Sequence, residues 1–286
     1  MVYPWEKEEY KKARKWSSSS KKKILQSTTC ITGWADICGY GQILEKCGWD
    51  LNEMQKEGYI HLLNKFHELN AYPILPIPGL LCEKILILND GLARTCDIVP
   101  STGLVYFGLP FIFFIRELFF KFHFSKSLCI SYGLGLRMVF AGGERMQYSS
   151  EVVTGSSFLL HDENRVSPLG EELLSTNYLY NPSEFQINTA FSKAYTIDRL
   201  GTHGGFPPNN CYVERGFWDI CKLIPHIDFN IEKNYICLLL QGKEVIRLYI
   251  DKTHQCQLLG LNVTVDQISG IRLNIPTENE EVYMWL

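Results

Sequence analysis

The chain has little that would place it in a membrane, in an oxidising compartment or on a nucleic acid. Its most apolar stretch, Leu104 to Ile115, is broken off by Arg116, Glu117 and Lys121, well short of the ~20 residues that span a bilayer. The formal net charge is only −3 over 286 residues, which gives no global attraction to nucleic acid. The ten cysteines form no Cys-x-x-Cys pair and no Cys/His zinc spacing, and several sit inside apolar runs such as Tyr-Ile-Cys-Leu-Leu-Leu around Cys237. They read as free buried thiols in a reducing compartment. No apolar leader opens the chain: residues 1–23 are polar, Ser-rich and basic, and read as an N-terminal arm. No internal repeat is visible. The expectation is a soluble cytoplasmic protein that binds neither membrane nor nucleic acid.

What is present is ample material for a core, with 46% hydrophobic content, and residues 24–286 read as one domain. A first strand is expected from Ile24 to about Trp34. From Gln42 to Asn70 apolar residues recur at helical spacing, with Asp50 and Asn52 breaking the pattern into two helices or capping the second. The three prolines of 71–80 exclude helix and imply an extended connection. Lys84–Leu88 and Leu92–Ile98 read as strands joined by Asn89-Asp90-Gly91, a hairpin signal because tight primed turns need positive φ. Leu104–Phe124 reads as an amphipathic helix with Arg116 and Lys121 on its wet face, and Ser127–Phe140 as a strand. Residues 144–184 are polar and weakly patterned, a lid or an insertion. His161-Asp162-Glu163 lies there, but nothing at helical spacing completes a ligand set. Phe185–Leu200 reads as a helix ended by Gly201. Tyr235–Leu240, Val245–Ile250 and Leu261–Ile275 read as strands. The order is that of a ferredoxin-like βαββαβ core: an α+β fold with helices packed on an antiparallel-rich sheet, extended by C-terminal strands.

In such a core the end of the first strand neighbours the hairpin turn, so Asp36 and Asp90 would meet although far apart in sequence. Taken alone, Asp36 is an ordinary helix cap and Asp90 an ordinary turn residue. Together they are two carboxylates that repel unless a divalent cation lies between them. The backbone N–H groups that follow Asp36 would be free for phosphate oxygens.

Here the chain resembles the catalytic domain of class III nucleotide cyclases, over about residues 25 to 200. Trp-Ala-Asp-Ile-Cys-Gly-Tyr-Gly resembles the first metal motif and Ile-Leu-Ile-Leu-Asn-Asp-Gly-Leu the second. Gly-Leu-Arg-Met-Val-Phe-Ala-Gly-Gly-Glu resembles the later strand, and Ile-Asn-Thr-Ala-Phe-Ser-Lys-Ala the last helix. The resemblance implies two Mg²⁺ or Mn²⁺ ions per site, held by the Asp36 and Asp90 carboxylates and the Ile37 carbonyl. It implies triphosphate contacts from Arg137 and from the loop Cys38, Gly39, Tyr40 and Gly41. Asn188 would orient the ribose and Lys193 would be the transition-state cation. The family's arginine lies four residues after its asparagine, where this chain has Ser192, so the cation is Lys193 or a neighbour. The position from which purine cyclases read the base holds Leu86, which makes no hydrogen bond. That pattern is similar to the Pycsar pyrimidine cyclases of bacterial anti-phage defence, and implies UTP or CTP as substrate and a separate cyclic-nucleotide effector. The family's architecture implies a head-to-tail homodimer with composite sites, Asn188 and Lys193 coming from the second subunit. An adenylyl or guanylyl cyclase, or a degenerate nucleotide-binding sensor, are the alternatives.

Overall fold

The structure, a computed structural model, describes residues 8, 27–72, 83–98, 108–146, 160–162, 165–166, 182–274 and 282–286. The chain divides into two compact units, one of residues 1–28 and 145–188, the other of 29–144 and 189–286. In the first, the described part includes a short hairpin, β5 (Leu160–Asp162) and β6 (Arg165–Val166), and a 3-10 turn at Ser183–Phe185. His161 and Asp162 lie on β5; Glu163, the basic arm apart from Glu8, and most of the polar stretch 144–184 fall outside the described residues.

The second unit is built on one large sheet. Its elements are β1 (Ser27–Cys38), α1 (Tyr40–Lys46), α2 (Leu51–Lys56), α3 (Tyr59–Ala71), β2 (Lys84–Leu88), β3 (Gly91–Asp97), α4 (Gly108–Ser131) and β4 (Gly135–Met146). Then come α5 (Thr189–Leu200), β7 (Asn210–Glu214), α6 (Arg215–Cys221), β8 (Ile227–Ile231), β9 (Tyr235–Leu240), β10 (Lys243–Leu258), β11 (Leu261–Leu273) and β12 (Val282–Trp285). The strand order is β2-β3-β1-β4-β7-β11-β10-β9-β8, with β12 branching from β11. The first four strands stand in the ferredoxin-like order, as expected for βαββαβ, and the C-terminal strands enlarge the same sheet. β4 and β7 pair parallel, whereas β2–β3, β3–β1, β7–β11, β11–β10, β10–β9, β9–β8 and β11–β12 pair antiparallel.

Alternation along β1 divides its side chains between two faces. Ile31, Ala35 and Ile37 join the core beneath α3 and α4, with Leu62, Phe66, Phe111, Ile115, Phe119 and Phe122. Trp34 points the other way, edge-on to Phe191 and Tyr195 of α5 at ring distances of 6.0 and 5.4 Å. Helices therefore cover both faces, the βαββαβ pair on one and α5 on the other.

Several boundaries correct the expectations. β1 continues to Cys38, so Asp36 is a strand residue held in register opposite Gly91 rather than a helix cap beyond the strand's end. The stretch 42–70 forms three short helices, and Asp50 does cap the second, accepting from the Asn52 N–H at 2.7 Å. α4 runs to Ser131, so the strand expected from Ser127 begins at Gly135. Phe122, Ser125 and Cys129 stay buried along one stripe, and this helical period carries through the supposed boundary until Gly133 turns the chain. Arg116 and Lys121 are not on a wet face. They are 3% and 2% exposed, Arg116 lying over the Phe113 ring and Lys121 donating to the Asn70 carbonyl at 3.0 Å. The last helix begins at Thr189, later than Phe185. The prolines of 73–80 lie outside the described residues. Among the described residues no helix is long and apolar enough to cross a membrane.

Candidate active site

The candidate site lies at the end of β1 where the β2–β3 hairpin turns beside it. Asn89 at the turn has φ 49°, and two bonds seat the turn. The Ile37 N–H donates to the Asp90 carbonyl at 3.1 Å, and His67 Nε2 of α3 donates to the Asn89 carbonyl at 2.6 Å. Asp36 and Asp90, 54 positions apart in sequence, are thereby neighbours.

Among the described residues their surroundings are short of positive charge. Burial, then the carboxylates of Asp198 and Asp90, push the Asp36 carboxyl up to about 7, against the pull of Arg137. Asp90 is raised as well, by burial first and by Asp198. Cys38 is pushed up to about 11, chiefly by burial, with Arg137 opposing and Asp36, Asp198 and Asp90 adding to it. Tyr40 is raised by burial and by Asp90. Asp36, Cys38, Tyr40, Asp90 and Arg137 are thus brought into one electrostatic neighbourhood.

Arg137, from β4, is fixed by a residue that the sequence reading passed over. Its Nη1 donates to Asp198 Oδ1 at 2.6 Å and to the Asp198 carbonyl at 2.8 Å, and its Nε donates to the Phe206 carbonyl at 2.9 Å. Burial works against the guanidinium charge, but Asp198 leads the groups that hold its pKa raised. Trp34 Nε1 donates to the second Asp198 oxygen at 3.1 Å. Asp198 had a readable signal. It lies on the buried stripe of α5, with Ala190, Ala194 and Ile197, and a carboxylate on an apolar stripe needs a partner.

The other expected residues are placed as follows. Leu86 pairs across the sheet with Ala93, which pairs with Trp34. Directly opposed residues share a face, so half-buried Leu86 lies on the Trp34 side. In the turn after β1, the Gln42 and Ile43 N–H groups donate to the Gly39 carbonyl. The Ile37 N–H is committed to Asp90; this corrects the expectation of a wholly free run. Lys193 is paired with Glu214 at 2.8 Å, and Glu214 also caps α6 through the Gly216 N–H. Asn188 belongs to the other compact unit, where its amide donates to the Glu184 carbonyl at 3.0 Å and its backbone bridges to Arg145.

The donors at Asp36, Asp90 and Ile37 are all oxygen, the set that suits Mg²⁺ or Mn²⁺. Among the described residues no group of three or more His, Cys, Asp or Glu is arranged to hold a metal. Ions that sit between one or two carboxylates and substrate phosphates need no such group. The raised carboxylates fit a cation, which would relieve their mutual repulsion.

The chain matches no family model and no curated protein. Among solved structures it is similar to the crystal structure of the adenylyl cyclase CyaB from P. aeruginosa, with a TM-score of 0.44 and 10% identity over 86% of this chain and 96% of that one. A likeness so distant carries no argument about activity, which has to be read from the residues.

Proposed function

We propose that the chain is a metal-dependent nucleotide cyclase that converts a pyrimidine nucleoside triphosphate, UTP or CTP, into its 3′,5′-cyclic monophosphate and pyrophosphate. The observation that carries this reading is the meeting of Asp36 and Asp90 beside Arg137 at one end of the sheet. Asp36, Asp90 and the Ile37 carbonyl would hold two Mg²⁺ or Mn²⁺ ions, which supply a lowered pKa for the attacking hydroxyl and neutralise the leaving group. Arg137 and the loop from Cys38 to Gly41 bind and orient the triphosphate. The 3′-oxygen then forms a bond to the α-phosphorus as the bond to the β-phosphate oxygen breaks. Leu86 offers an apolar contact to the base and rejects purines by omission of a partner.

Asn188 and Lys193 act in the site of a second copy of the chain, so the enzyme works as a homodimer with composite sites. Its cyclic product acts on a separate effector, in the manner of Pycsar anti-phage defence. One observation favours a second reading, a nucleotide-binding domain without turnover: the Lys193 ammonium is already paired with Glu214.

The test is purified protein with Mn²⁺ and each of the four NTPs singly, with products resolved by chromatography. Cyclic UMP or cyclic CMP is the expected product. Preference for ATP or GTP removes the pyrimidine assignment, and binding without product in any nucleotide supports the second reading.

A further inference from the structure

We infer that Asp198 is a positioning residue for anionic ligands, holding Arg137 in the orientation that receives a polyphosphate beside Asp36. The inference rests on the reading of this end of the sheet as a triphosphate site. It adds a residue to which that reading gives no part.

The geometry is that of a clamp rather than of a simple ion pair. Asp198 is 7% exposed and Arg137 8%. Asp198 holds Nη1 with both its side chain and its main chain, and Phe206 holds Nε through its carbonyl. A guanidinium is planar, so fixing two of its three nitrogens fixes the direction of the third. Nη2 makes no hydrogen bond to a described residue and is the end left for a ligand. Asp198 is itself aligned by Trp34 Nε1, and Trp34 is held edge-on by Phe191 and Tyr195. α5 thus supplies both the carboxylate and the aromatic wall that orients its partner. An ordered guanidinium loses less freedom on binding than a mobile one.

Charge and orientation make opposite forecasts here. If Asp198 only offsets a buried cation, its removal makes the site more positive and strengthens the binding of anions. If it positions Arg137, its removal frees the guanidinium and weakens binding.

The experiment is calorimetric titration of the full chain with inorganic tripolyphosphate in the presence of Mn²⁺, alongside steady-state kinetics with the best nucleotide. Asp198→Ala is expected to weaken tripolyphosphate binding about tenfold, the effect of losing one charge-assisted hydrogen bond. It should raise KM by a similar factor and change kcat less. Asp198→Asn, which keeps an acceptor for Nη1, recovers part of the affinity. Should Asp198→Ala unfold, Trp34→Phe removes the aligning N–H while keeping an aromatic ring beside Phe191 and Tyr195, and is expected to weaken binding about twofold to threefold. Unchanged or tighter binding in the Asp198 or Trp34 variants, with wild-type turnover intact, overturns the inference and leaves the cyclase reading standing. Wild-type protein that binds no tripolyphosphate, or an Arg137→Ala variant that binds it as wild type does, overturns the triphosphate site and the inference with it.

Discussion

Two buried charge clusters lie on opposite faces of the same sheet, and they are balanced differently. Beneath α3 and α4, Arg94 pairs with Glu83 at 3.1 Å and Lys121 with Glu117 at 3.5 Å, while both cations also donate to the Asn70 carbonyl at 3.0 Å. Two cations face two carboxylates there. On the other side, Asp198 holds Arg137 and Asp36 lies within the reach of its charge, while Asp36 and Asp90 also feel Asp198, so among the described residues three carboxylates stand against one cation. Both clusters bear the penalty of burying charge, but only the second leaves negative charge unmet. A balanced cluster is a structural device; the proposed metal site would give the unbalanced one its counter-charge. The apparent exception in the first is Lys121, lowered to about 8 by burial and by Arg94 against the pull of Glu83 and Glu117. It is a packed cation, held by Glu117 and the Asn70 carbonyl.

The comparison breaks most readily at Arg94. Arg94→Met leaves Glu83 buried without its partner and is expected to cost about 3–5 kcal/mol of folding stability. Urea unfolding measures this, and turnover per folded molecule should stay near wild type. If turnover falls while stability holds, the structural assignment of that cluster is wrong.

Asp36→Asn should do the reverse. Product formation is expected to fall about a hundredfold or more, roughly 3 kcal/mol of transition-state stabilisation, while the metal-free fold becomes more stable. The sign follows from linkage. A carboxyl at about 7 in the folded chain, against its ordinary 3.8, takes up a proton on folding. Its contribution is therefore full below about pH 4 and lost as pH rises to about 7. Thermal melts of metal-free wild type should fall across that window. Mn²⁺ should restore stability at its upper end, and Asp36→Asn should flatten the profile and abolish the Mn²⁺ response. A wild-type melt indifferent to both pH and Mn²⁺ removes the proposed metal site.

The smallest effect is expected at Leu86. Leu86→Lys should move the purine-to-pyrimidine ratio of kcat/KM by about threefold to tenfold without reversing it, because a single new donor adds little to an apolar pocket. No movement would take Leu86 out of the base pocket.

The order of elements, the hairpin at Asn89-Asp90 and the meeting of Asp36 with Asp90 were legible from periodicity and turn chemistry. What escaped depended on partners far along the chain. Nothing local to Arg116 or Lys121 separates a snorkelling cation from one buried over an aromatic ring or against a carbonyl. The end of α4 was misplaced because its last buried positions also suit a strand. Asp198 could have been found from its apolar neighbours on α5, but its bonds to Trp34 and Arg137, 164 and 61 residues away, come only with the fold. Lys193 was chosen for its charge, and its pairing with Glu214 depends on where β7 ends.

The two glycines after the arginine strand have a further consequence. A side chain at Gly142 would collide with the Gly216 carbonyl, where α6 begins; one at Gly143 would stand 2.8 Å from the Ala190 backbone nitrogen, where α5 begins. Consecutive positions on β4 are thus closed by main chain above and below. Descendants of a common ancestor can lose almost every other likeness and still require this pair, or else relocate two helices at once. A side chain at either position of this doublet, five residues past the strand's arginine, would have to displace the start of a helix.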